Sequence, residues 1–137
     1  MYDMPNSFEN LDNIKSLSEK ISAVFSQNEV LRLAINTSHE GIAILNDKGE
    51  YVYMNDAHAI MFGYDSGELI GKTWEVLYKQ SDIDYFKETV FPIIGKEGKW
   101  NGKYVAYTKQ GKPVNEEVYL TSLPNGGLVC TCRIIKN

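Results

Sequence analysis

Basic charge is scarce in this chain: 14 lysines and arginines stand against 18 acidic residues, for a net charge of −4. That balance argues against nucleic acid as a partner, because phosphate binding wants a basic patch. Long hydrophobic runs are missing as well. No stretch approaches the ~20 apolar residues that span a bilayer. The N-terminus MYDMPNSFEN lacks the basic-then-apolar order of a signal peptide. The chain therefore reads as cytoplasmic, or as a cytoplasmic piece of something larger, with no membrane and no nucleic acid to bind. Cysteine stops at Cys130 and Cys132. A zinc site normally wants four ligands, and His39 and His58 lie far away in sequence. No metal site is predicted, and the two cysteines read as small core residues in a reducing compartment.

Catalytic signatures are absent too. There is no GxGxxG, P-loop, HExxH or GxSxG. Neither histidine has a supporting motif. His58 follows Asp56 by two positions, and residues so spaced on a helix do not face each other. His58 is expected to be a partly exposed helix residue, and His39 a loop residue before the first strand. No catalytic residue is assigned and the chain is not expected to be an enzyme. The one set that could move protons is Glu116 with Tyr53 or Tyr104.

What is present suits one soluble domain. A chain of 137 residues, 43% hydrophobic and 23% charged, can bury roughly two thirds of its unfolded surface without metal or disulfide staples. Residues 1–10 are polar and expected to be poorly ordered. From Leu11 to Asn36 the pattern is helical. Ile14, Leu17, Ile21, Val24, Asn28, Leu31 and Ile35 recur at alternating spacings of three and four, which is a heptad stripe over about three heptads. Asn28 takes an a position, where a buried Asn commonly fixes register and dimer state. The segment is predicted to pair two copies through Ile14, Leu17, Ile21, Val24, Asn28 and Leu31. Two competitors are a helix packed on its own domain and a new helix begun by the Ser26–Glu29 capping box.

From residue 37 onward the period changes to that of strands. GIAILN and YVYMN flank a D-K-G-E hairpin. Asp56 can cap a short helix through Phe62. Ser81 begins a longer helix in which Pro92 predicts a kink or an end. Three strands follow, joined by the K-Q-G-K and P-N-G-G turns. Two groups of strands separated by helices suggest an α+β domain with one antiparallel sheet. Trp74, Trp100, Tyr53, Tyr104, Phe62 and Phe86 supply core, and such residues also line small-molecule pockets. Strict alternation puts Glu116 on the strand face of Val114, Val118 and Leu120. Whether that face is buried or lies at the sheet margin stays open, with the margin favoured.

In this order the residues resemble a family. Gly41, Asp47, Gly49, Asn55, Ala57, then Phe62, Gly63 and Tyr64, then Glu68, Leu69, Ile70, Gly71 and Lys72 are similar to the first half of a PAS domain of the S-box type. GKWNGK (98–103), KQGKP (109–113) and the paired final strands resemble the second half. The match runs from about Val30 to Ile135. It implies a five-stranded antiparallel sheet in the order 2-1-5-4-3, with short helices on one face enclosing a cavity, and an amphipathic helix ahead of it. It also implies a sensory and dimerisation module beside an effector such as a histidine kinase, binding a small ligand or serving as a ligand-free interaction module. Candidate pocket residues are Ile44, Tyr53, Asn55, Met61, Trp74, Phe86, Tyr104, Val118 and Cys130.

Departures from the family narrow the ligand. Gly71 and Lys72 are followed by TWEVLYKQ, with no reactive cysteine for thiol–flavin photochemistry. The long helix SDIDYFKETVFPIIGK has no histidine to hold a haem. A non-covalent small molecule fits these absences, and Trp74 and Asn55 could flank its ring. The chain carries Arg133, Ile134 and Ile135 where family members often have an R-D-I-T-like hinge.

Overall fold

The computed structural model describes residues 7–136. Two compact units divide between Ile35 and Asn36. The first holds nearly all of helix α1 (Ser7–Thr37), which is continuous for 31 residues. It begins four residues before Leu11, and residues 1–6 lie outside the described part of the chain. There is no break at Ser26, so the capping-box sequence does not open a new helix. Ile14, Leu17, Ile21, Val24 and Leu31 are exposed along α1. Phe25, Val30 and Leu33 are exposed off the heptad stripe, so α1 is only weakly two-sided.

The second unit is built on one antiparallel sheet: β1 (Gly41–Leu45), β2 (Tyr51–Met54), β3 (Lys99–Tyr107), β4 (Pro113–Ser122) and β5 (Leu128–Ile134), in the order β2-β1-β5-β4-β3. The order and the helical cover are those expected. Along β1 and β4 alternate residues are buried, as a half-covered sheet requires. Register between β1 and β2 shifts once. Ile44 pairs with Tyr53, but Leu45 pairs with Tyr51. The extra residue, Val52, reverses the parity of β2. Tyr51 is buried, Val52 is exposed, and Met54 packs on the core again.

The cover comprises α2 (Asp56–Met61), a 3-10 turn (Trp74–Leu77), α3 (Gln80–Tyr85), a π turn (Phe86–Val90) and α4 (Phe91–Glu97). The core lies between cover and sheet. Leu69, Leu77, Ile83, Phe86, Val90 and Ile94 meet Ala43, Leu45, Ala106, Val118 and Leu120, and each large side chain so buried contributes about 1.5–3 kcal/mol. The irregularity expected at Pro92 comes earlier. In the π turn the Phe91 N–H donates to the Phe86 carbonyl, five residues back. In a regular helix the Pro92 ring would crowd the Glu88 carbonyl. Widening the preceding turn relieves that clash and leaves Pro92 in the first turn of α4, where proline is tolerated.

Candidate functional site

Between sheet and cover lies a cavity of about 30 Å³, lined by Leu45, Tyr51, Trp74, Tyr78, Phe86, Phe91, Val118, Leu120, Leu128 and Cys130. A water molecule needs roughly 10–15 Å³ by the same measure, so the space holds a few waters as it stands. Its ceiling is aromatic. Trp74 meets Phe86 and Phe91 edge-on, with ring centroids 5.5 and 5.2 Å apart. Tyr78 lies 5.2 Å from Phe86. The π turn contributes directly, because the five-residue spacing sets Phe91 beside Phe86, with ring centroids 6.3 Å apart, and brings both rings to the wall.

Trp74 is placed by backbone pairing. The Gly71 N–H donates to the Tyr51 carbonyl and the Tyr51 N–H to the Lys72 carbonyl, which ties this loop to β2. The Trp74 N–H donates to the Gly49 carbonyl at 3.1 Å. Gly49 has φ +77°, and a Cβ there would stand 2.9 Å from the indole. Glycine is thus needed both for the turn and for the ring laid over it. On the far side of Trp74 and Phe91 is an open groove of about 370 Å³, which shares Leu45, Trp74, Phe91 and Leu128 with the cavity. Those two rings are the partition between the two spaces.

The polar feature behind the cavity wall is Glu116, which borders the neighbouring cleft with Tyr104 and Asn115 and meets the wall through Tyr78. It is 1% exposed, so the face of β4 that carries it is the core face and the sheet-margin expectation is corrected. Tyr78 OH donates to its carboxylate. Burial pushes the Glu116 carboxyl up to about 7, with the Tyr78 bond pulling the other way. Burial, followed by the Glu116 charge, pushes the Tyr78 phenol well up, and burial does the same to Tyr51.

Of the residues singled out from sequence, Trp74, Phe86, Val118 and Cys130 line the cavity. Ile44 and Tyr53 form a cross-strand pair outside the core cluster: Ile44 alternates with buried Ala43 and Leu45 on β1, and on β2 the bulge at Val52 gives Tyr53's place to Tyr51. Tyr104 stacks on Phe86 at 4.7 Å but borders a surface cleft with Lys103 and Asn115. Asn55 is fully buried and structural. Its Oδ1 accepts from Ile42 N at 2.8 Å and from His58 N at 3.0 Å, and its Nδ2 donates to the Glu40 carbonyl at 3.0 Å. It caps α2 and fastens that helix to β1. Met61 lies outside the cavity, with its Sδ 3.6 Å from Cys132 Sγ.

His58 corrects another expectation. It is 1% exposed, held edge-on between Tyr51 and Phe62, because α2 turns this face toward the sheet. A ring nitrogen of His58 and the sulfurs of Cys130 and Cys132 all lie within 4.8 Å of one another. Distance in sequence had set these residues apart; the fold brings them together. Sequence reasoning also passed over Tyr51, Tyr78 and Phe91, since nothing local marks a tyrosine or phenylalanine as cavity wall.

A family model described as PAS domain matches residues 39–135. Solved structures share the fold. A PAS domain from Colwellia psychrerythraea is 20% identical with a TM-score of 0.72, over 82% of this chain and 97% of that one. The PAS domain of a LuxR-family transcriptional regulator from Burkholderia thailandensis, in complex with ethanol, is 20% identical with a TM-score of 0.70, over 76% and 96%. A domain of a sensory box sensor histidine kinase/response regulator from Geobacter sulfurreducens is 23% identical with a TM-score of 0.69, over 80% and 96%. At these identities the likeness is one of fold.

Proposed function

Because this chain belongs to the PAS domain family, we propose that it is a sensory and signal-transduction module with its input at the aromatic cavity. The small pocket under Trp74 and Phe91 carries this reading. As it stands it suits a ligand of two or three non-hydrogen atoms, and the ethanol complex of the Burkholderia relative is of that order. A larger ligand would enter by displacing the Trp74–Phe91 partition, which merges cavity and groove. Ligand binding would then shift a two-state arrangement worth ~1–3 kcal/mol of coupling. Output runs through a homodimer formed by α1 at Ile14, Leu17, Ile21, Val24, Asn28 and Leu31, to an effector such as a histidine kinase. A cytoplasmic setting agrees with two free thiols. Among the described residues, no helix is long and apolar enough to cross a membrane.

The small size of the cavity favours a second reading, a ligand-free interaction module that joins partners through α1. Native mass spectrometry of the purified protein, followed by the same sample denatured, separates the two. A dimer carrying mass that is lost on denaturation supports the sensor. A bare dimer supports the interaction module, and a bare monomer removes helix-mediated pairing from both.

A further inference from the structure

The side chains under α2 have the chemistry of a metal site. Cys130 and Cys132 are two apart on β5 and so present their sulfurs on one face of the strand. His58 faces them from the first turns of α2, held by the Asn55 cap. Met61 is three residues further along the same helix face, and its Sδ lies 3.6 Å from Cys132 Sγ. Three features distinguish this cluster from ordinary core. First, the donors are close enough to share an ion. They lie within 4.8 Å of one another, and two sulfurs on one tetrahedral cation with bonds of about 2.3 Å stand about 3.8 Å apart, so a draw-in of about 1 Å or less would let them share one. Second, His58 Nδ1 is buried with no hydrogen-bond partner, an arrangement that native cores rarely leave without a reason. Third, the backbone of β1 approaches the cluster closely at a glycine. A Cβ on Gly41 would stand 2.9 Å from Cys132 Sγ, 3.1 Å from His58 Cα and 3.2 Å from Met61 Cε. Any other residue at Gly41 would press on Cys132 and on the α2 backbone at His58.

We propose that His58, Cys130 and Cys132, with Met61 beside them, form a buried site for a soft d10 cation, zinc or copper(I). The inference rests on donor geometry and not on the sensory reading above. Hard cations are excluded by the donor set, which offers sulfur and imidazole and no oxygen. Burial keeps the imidazole neutral, lowering it to about 4, which is the form that ligates. The neighbouring thiol and burial push the Cys132 thiol far up, so that sulfur holds its proton until a cation takes its place. Binding of one ion by both thiols releases two protons to solvent. Zinc would leave the site neutral, with two thiolates against two positive charges. Copper(I) would make use of the thioether, a donor it accepts more readily than zinc does. Bound there, the ion would join β5 to α2 across the strand that Gly41 begins.

The test uses the full chain, reduced and held anaerobically, titrated separately with copper(I) and with zinc in competition with a chromophoric chelator. We expect one equivalent of at least one ion to be retained, and that retention to be lost when Cys130 and Cys132 are both replaced by Ser. Copper alone would place Met61 among the ligands, and zinc alone would leave it a neighbour; either result upholds the site. Failure to retain either ion, or retention that survives the double substitution, overturns it. Because the double variant removes core sulfurs and could misfold, urea unfolding of the unaltered protein provides an independent check. One equivalent of the ion should raise its urea midpoint, and equal midpoints with and without it overturn the site.

Discussion

Two buried side chains give the domain opposite responses to pH. Glu116 has its carboxyl raised from 4.5 to about 7 by burial. The folded state therefore binds more protons than the unfolded one in that window. Its contribution to stability is fully present below 4.5 and is lost as pH rises through about 7. His58 is lowered from 6.5 to about 4, also by burial, so its contribution is present above 6.5 and is lost as pH falls through about 4. Each effect is worth about 3 kcal/mol at most. Between the two, the metal-free protein should show nearly level stability through the overlap. Glu116→Gln removes one side of the balance. Its urea midpoint should fall steadily as pH is lowered through the histidine window, where the unaltered protein stays level; parallel curves for the two proteins would refute the opposition. Asn55 gives a simpler test. Asn55→Ala leaves the Ile42 and His58 N–H groups and the Glu40 carbonyl without their side-chain partner, and should cost about 2–4 kcal/mol in urea unfolding. Asn55→Asp keeps the acceptor and should cost less.

At the scale of elements, the π turn and Pro92 form one device. Deleting Glu88, which is exposed, would return the turn to α-helical spacing and bring the proline ring against a carbonyl, at a cost of about 3 kcal/mol. Combining the deletion with Pro92→Ala should recover most of that loss. A double variant no more stable than the single deletion would count against the coupling. The irregularity itself was legible in the sequence as Pro92, but not its position, because relief of the clash is shared among the five preceding residues. The strands were legible for a related reason: a half-buried sheet imposes a period of two, and β4 keeps it from Val114 to Leu120. β2 did not yield to that rule, since one added residue at Val52 exchanges Tyr53 for Tyr51. Residues joined only by the tertiary fold left no local trace. Tyr78 meets Glu116 across 38 positions, and His58 meets Cys130 and Cys132 across more than that.

For the whole molecule, the proposed pairing through α1 makes a claim about assembly rather than stability. Replacing Leu17 and Val24 together by Asp puts charge on an exposed stripe, so it should convert dimers to monomers in sedimentation without altering the melting of the sheet unit. Dimers that persist would assign the pairing to another surface. The sheet order has a consequence of its own. β1 and β5 are antiparallel neighbours, with Gly41 opposite Cys132, so the start of the first strand and the end of the last leave from the same end of the central pair. Tension applied at these two points would not shear the sheet along its length. It would part β1 from β5 one hydrogen bond at a time, starting beside Gly41, as a zipper opens from its slider. The domain should therefore yield at low force along its central seam, and a cation held by Cys132 and His58 at that end of the seam would act as the stop.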